Sequence, residues 1–168
     1  MELAQHPPVA DWTGKVELLE GEIVRMAPAN IPHWRVQHDT AQKLRAIFAE
    51  AGRDWVAGAE PTVRFADRTV RVPDIGVFRA PDLRRPLFDV ADLFIAVEVA
   101  DTSLRLDLGP KLVAYADASV PHYWVIDVKA SEIVLMAEPA DGRYRTSVRH
   151  AFGEPVAVPG TDATIVVD

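Results

Sequence analysis

Apolar and polar positions along this chain predict its elements in turn. Residues 16–26 (VELLEGEIVRM) read as two short strands around a Glu20-Gly21 turn. Asn30-Ile31-Pro32 has the chemistry of a helix start. From His33 to about Glu50, Trp34, Ala41, Leu44, Ile47 and Phe48 recur at helical spacing and predict an amphipathic helix. Ala51-Gly52 ends it, with Gly52 as a left-handed cap. Three strands are then expected, over residues 55–65 with a break near Gly58, over 69–78 (TVRVPDIGVF) and over 93–100 (LFIAVEVA). A polar, proline-containing connection, residues 79–92, joins the last two. A second helix is predicted from about Asp107 to Ala118, with Leu108, Leu112 and Tyr115 on one stripe. An apolar strand follows at 122–128 (HYWVIDV), then a hairpin closed at Asp141-Gly142 and a last strand-like segment at 164–167. Strands interleaved with helices, with near-continuous apolar strands among them, predict an α/β chain. Its central mixed sheet is flanked by helices and carries N-terminal and C-terminal hairpins.

Composition narrows the picture. With 168 residues, 49% of them apolar, the chain suits one domain with a substantial core, residues 1–11 forming a loose polar lead-in. The four tryptophans, Trp34 and Trp124 among them, are expected in that core. There is no cysteine, which excludes disulfides, thiolate metal sites and cysteine nucleophiles and suits a reducing cytoplasm. No apolar run approaches the roughly 20 residues that span a bilayer, and the N-terminus lacks the order of a signal peptide. The net charge of −7 argues against a strong general nucleic-acid binder. Arginines do cluster locally, at 64, 68, 71, 79, 84 and 85 ahead of Arg105, and read equally well as a phosphate-facing surface or as solvated loops. No glycine-rich phosphate loop, nucleophile elbow or dinucleotide fingerprint occurs.

Strand parity singles out two acids. Within 69–78, Asp74 shares a face with Val72, Gly76 and Phe78. Within 93–100, Glu98 shares a face with Phe94, Ala96 and Ala100. Burying a charge costs several kcal/mol unless it is paired or bound to a metal, so a carboxylate inside AVEVA is anomalous. If the two strands are neighbours, Asp74 and Glu98 converge, and two oxygen ligands with open water positions suit Mg²⁺ or Mn²⁺. The alternatives are that Glu98 pairs with an arginine, or that both acids face solvent at strand ends. Asp107 and Lys111 stand four apart on a helix, which gives either a surface ion pair or a lysine pointing back at the carboxylates, where it stabilises charge on a phosphoryl oxygen. His33 opens the first helix, as a cap or as an anion ligand. His6, His38, His122 and His150 show no ligand spacing.

These residues carry a resemblance. VPDIGVF at 72–78, the run FIAVEVADTSLRLDLGPKLVAYADASVPHYWVID at 94–127, and the opening LLEGEIVRMAPANIPH at 18–33 resemble the Uma-type restriction endonuclease family of the PD-(D/E)XK nuclease superfamily. The combination of PD, EV-x-x-x-S, D-x-x-x-K-x-x-x-YA and YW-x-x-D is specific, and it spans nearly the whole chain. The resemblance implies a restriction-endonuclease-like core and a metal-dependent endonuclease acting on DNA. Asp74 then matches the acid of the PD motif and Glu98 the acid of the (D/E)XK element, together holding Mg²⁺ (or Mn²⁺). Two residues after that acid the superfamily places a lysine, and here the position is Ala100. Lys111 on the following helix matches the displaced lysine. Tyr115, Asp107 and His33 match supporting positions. A homodimer is expected, since cutting both strands calls for two active sites. A catalytically silent nuclease-fold module for binding or assembly is the alternative, favoured by the acidic net charge.

Overall fold

The computed structural model describes residues 15–52 and 54–168; the lead-in expected over 1–11 lies outside them. Its centre is a six-stranded mixed sheet built from β3 (Trp55–Ala59), β6 (Ile75–Arg79), β8 (Leu93–Ala100), β9 (His122–Asp127), β10 (Glu132–Ala140) and β11 (Arg143–Ala151). The spatial order is β11-β10-β9-β8-β6-β3. Only β8 and β9 run parallel among these pairs. A second sheet, order β2-β1-β5-β4-β7, joins β1 (Val16–Leu19), β2 (Glu22–Arg25), β4 (Val63–Ala66), β5 (Thr69–Arg71) and β7 (Phe88–Asp89). β12 (Pro155–Ala157) and β13 (Thr164–Val166) form a two-stranded ribbon, of which only the second was expected.

Helix α1 (Ile31–Glu50) covers one face of the central sheet. Asn30 caps it, its Oδ1 accepting from the His33 N–H at 3.0 Å, and Pro32 occupies the first turn, where no donor is needed. Val36, Ala41, Leu44 and Phe48 pack onto Ile95, Val97, Val99, Trp124 and Ile126. The opposite face carries Ala96, Ala100, Tyr123 and Val125, covered by Tyr115 and Leu112 of α3 (Leu112–Asp117) and by Leu104 of α2 (Leu104–Leu106).

Several expectations shift. Residues 55–65 form two strands in different sheets, divided at Glu60-Pro61. Residues 69–78 also divide, because Val72-Pro73-Asp74 turns the chain from one sheet into the other. Proline lacks the N–H a ladder needs, so Asp74 lies at a joint between strands. Phe94 breaks the parity expected of it. Val77 pairs with Ile95 but Phe78 pairs with Leu93, and the extra residue turns Phe94 onto the α1 face. The second helix starts earlier than expected, at Leu104, and Gly109-Pro110 interrupts it with a wide turn. Trp124 is buried as expected, whereas Trp34 is 56% exposed and stacks on His38.

Most of the clustered arginines are engaged by acids or rings. Arg64 pairs with Asp89, Arg71 with Glu17, Arg84 with Asp82, and Arg85 with Asp82 and Asp89. Arg79 lies over the rings of Trp55 and Phe94.

Candidate active site

Where the two sheets meet, the joint at Asp74 faces the C-terminal half of β8. Ile75 pairs with Val97, which sets Asp74 beside Glu98 across the ladder. Both carboxylates are almost wholly buried, at 2% and 1% exposed. The joint is braced from below. Glu17, itself a buried acid, accepts the Val72 N–H at 3.0 Å and lies 3.6 Å from Arg71. Gln37 of α1 donates to the Asp74 carbonyl at 2.9 Å. Gly76 admits no side chain, since a Cβ there would meet Phe78 and Pro61 at 2.7 and 2.8 Å.

Each oxygen of Asp74 is engaged. Oδ2 accepts the Val99 backbone N–H at 2.7 Å. Oδ1 takes a close contact from the Lys15 ammonium and lies 3.4 Å from His33 Nε2. Lys15 also donates to the Val72 carbonyl at 3.2 Å. Burial opposes ionisation of Asp74. The His33 hydrogen bond and the Lys15 charge outweigh it and hold the carboxyl well below its usual range.

Glu98 sits in a second, more enclosed arrangement. Its Oε2 accepts from Lys111 Nζ at 2.9 Å and its Oε1 from the Tyr115 hydroxyl at 2.8 Å. Lys111 also lies 3.0 Å from Asp107 Oδ1, a charge contact outside good hydrogen-bond geometry. Ser103 donates to Asp107 Oδ2 at 2.5 Å, and the Tyr123 hydroxyl donates to the Asp107 carbonyl at 2.8 Å. Asp107, Lys111 and Tyr115 are all buried and reach inward together, so the four-residue pair is an interior one. Burial drives the Glu98 pKa up to about 7, with Lys111 opposing and the Asp74 charge adding to the rise. Burial lowers that of Lys111, but Glu98 and Asp107 more than compensate, so the ammonium stays protonated. Tyr115 is held neutral, as a donor, by burial first and by the Glu98 charge second.

A cleft of about 580 Å³ opens over this region. Asp74, Lys15, His33 and Lys111 line it together with Arg25, Asn30, Glu60, Asp101 and Ser103. Glu98 lies behind Lys111 and does not reach the wall. All six residues expected at the site, Asp74, Glu98, Lys111, Tyr115, Asp107 and His33, are therefore brought together. Lys15 and Gln37 had not been expected. Gln37 had a signal, a polar residue on the apolar stripe of α1, and so had Glu17, an acid inside an otherwise apolar strand. Lys15 had none, since it only precedes the first strand.

A mixed sheet flanked by helices is a fold this chain shares with a nuclease-like neighbour. The chain belongs to the Uma2 family, described as "Putative restriction endonuclease", whose profile it matches over residues 3–165. A crystal structure described as a "putative nuclease belonging to DUF820", from Anabaena variabilis, shares its fold with a TM-score of 0.65. That protein is 19% identical, with 86% of this chain and 81% of the other covered. No protein with a curated description matches the sequence. Among the described residues no helix is long and apolar enough to cross a membrane.

Among the described residues no group of three or more His, Asp or Glu side chains could enclose a metal. Asp74 and Glu98 remain as neighbouring carboxylates across the β6–β8 ladder, each held by a lysine. One or two carboxylates completed by water and substrate phosphate are the donor set Mg²⁺ commonly takes, and Asp74 is the one of the two that lines the cleft.

Proposed function

We propose that this protein is a divalent-metal-dependent endonuclease hydrolysing phosphodiester bonds of DNA. The observation that carries the reading is the pairing of Asp74 and Glu98 at a strand joint, under a cleft whose walls also carry Lys15, Arg25, His33 and Lys111. Asp74 and Glu98 would hold Mg²⁺ or Mn²⁺. When bound, such an ion supplies Lewis-acid polarisation of a phosphoryl oxygen and a more acidic water. Lys111 keeps its charge while buried and contributes a fixed positive field where phosphoryl charge develops. Asp107 and Ser103 hold that ammonium in place. Tyr115 orients the Glu98 carboxylate, and Asn30 fixes the first turn of α1 so that His33 stays beside Asp74. The family and fold support nuclease chemistry; metal dependence, DNA as substrate and a homodimer that cuts both strands complete the proposal.

Cleavage of supercoiled plasmid in Mg²⁺ or Mn²⁺ is the direct test. Asp74→Ala should abolish nicking while the far-ultraviolet circular dichroism stays that of wild type. Nicking by Asp74→Ala at the wild-type rate would refute the assignment. One observation favours the second reading, a catalytically silent nuclease-fold module. Both Glu98 oxygens are already engaged by Lys111 and Tyr115, and the carboxylate does not line the cleft. Calorimetry showing no heat of binding at millimolar Mn²⁺ would favour that reading.

A further inference from the structure

The two lysines of the site are held differently. Lys111 is locked between Glu98 and Asp107, its side chain 9% exposed. Lys15 reaches Asp74 from the start of the other sheet, and its side chain is 18% exposed on the cleft wall. Its backbone is anchored by the closing bond of the β1-β2 hairpin, in which the Met26 N–H donates to the Lys15 carbonyl at 2.9 Å. Its ammonium reaches Asp74 Oδ1 and the Val72 carbonyl. A lysine held by its backbone, with a long stem lying on an open wall, can withdraw its ammonium into solvent without disturbing the fold.

The oxygens of Asp74 decide what that freedom means. Oδ2 is committed to the Val99 N–H, a backbone donor that cannot move without breaking the sheet. Among the described residues Oδ1 is the Asp74 oxygen held by side chains, and Lys15 is its nearest partner. A cation that Asp74 binds through Oδ1 therefore contends with the Lys15 ammonium at the same atom. Resting on the metal-site reading above, we infer that Lys15 is an internal competitor for the metal, a tethered counter-ion that neutralises buried Asp74 and swings aside when a divalent cation takes Oδ1. The exchange keeps the carboxylate compensated in both states, which a buried charge requires.

The competitor lowers the apparent affinity by the fraction of time Oδ1 is unblocked. If Lys15 holds Oδ1 for about nine-tenths of the time, removing it tightens binding roughly tenfold. The test uses Mn²⁺ alone, read by calorimetry and by thermal melting with and without metal, on wild type, Lys15→Met, Lys15→Arg and Asp74→Asn. Lys15→Met should bind Mn²⁺ roughly tenfold more tightly than wild type. It should also melt lower than wild type without metal and recover more of its melting temperature as Mn²⁺ is added. Lys15→Arg, which keeps the charge, should stay near wild type, and Asp74→Asn should show no Mn²⁺ response. Equal affinities for wild type and Lys15→Met, or weaker binding by Lys15→Met, would overturn the role of Lys15 and leave the metal site standing. Mn²⁺ that binds neither protein would overturn the metal site itself. Should Lys15→Met fail to fold, Lys15→Gln, with a shorter polar side chain, answers the same question.

Discussion

Asp74 and Glu98 stand side by side, each with a lysine, yet their surroundings are built on different plans. Around Glu98 every partner comes from the α2–α3 region, is buried, and is itself held. Lys111 is pinned by Asp107, Asp107 by Ser103 and Tyr123, and Tyr115 is stacked on Tyr123 at 4.7 Å. Around Asp74 the partners come from three separate places, the residue before β1, the first turn of α1 and the end of β8, and two of them, Lys15 and His33, line the open cleft. The contrast teaches that the Glu98 half is a rigid brace whose charge has nowhere to go. The Asp74 half is where exchange with solvent and ligands is structurally permitted.

Mutations sort along that contrast. Lys111→Met should have the largest effect, because it strands Glu98 as a buried, uncompensated charge beside Asp107. Loss of one member of such a pair costs about 3–5 kcal/mol, read as a lower urea midpoint. A loss below about 1 kcal/mol, the usual worth of an exposed pair, would mean that the brace does not depend on that charge. Tyr115→Phe removes one hydrogen bond to a carboxylate and should cost about 1.5–3 kcal/mol. Lys15→Met should cost less than Lys111→Met, because water in the cleft can take over part of the solvation of Asp74; equal costs would erase the distinction between the two halves. Trp34→Ala, on the open side and 56% exposed, should stay within about 0.5 kcal/mol of wild type. A larger loss would show that the start of α1 is more tightly built than its exposure indicates.

The brace was legible in part. Glu98 inside LFIAVEVA carries its own signal, since a charge in an apolar strand needs a partner. That Lys111 and Tyr115 are its partners followed from the family resemblance, because the Asp107–Lys111 spacing reads as well as a surface ion pair. The Asp74 half was legible only in its central residue. Lys15 has no periodicity to betray it, and what places it at Asp74 is the pairing of β1 with β5, Leu18 opposite Val70, a long-range pairing within the second sheet that local pattern does not encode. Parity misplaced Phe94 for a related reason, because a bulge is a property of two strands and not of one. Trp34 was misread because aromatic residues favour cores on average, while its place on α1 is set by where the sheet ends. Pro73 was the visible clue that the run 69–78 could not continue as one strand.

The spacing of these contacts along the chain also bears on the order in which the site forms. Glu98 meets Lys111 and Tyr115 across 13 and 17 residues, whereas Asp74 meets Lys15 across 59 and Gln37 across 37. Longer loops carry a larger closure entropy, and non-local pairings slow folding. A contiguous stretch from β8 through the wide turn and α3 to β9 contains the whole Glu98 brace. The Asp74 half waits for the return of the N-terminal hairpin. Loop-closure entropy therefore favours forming the Glu98 pocket before Asp74 acquires its counter-ion.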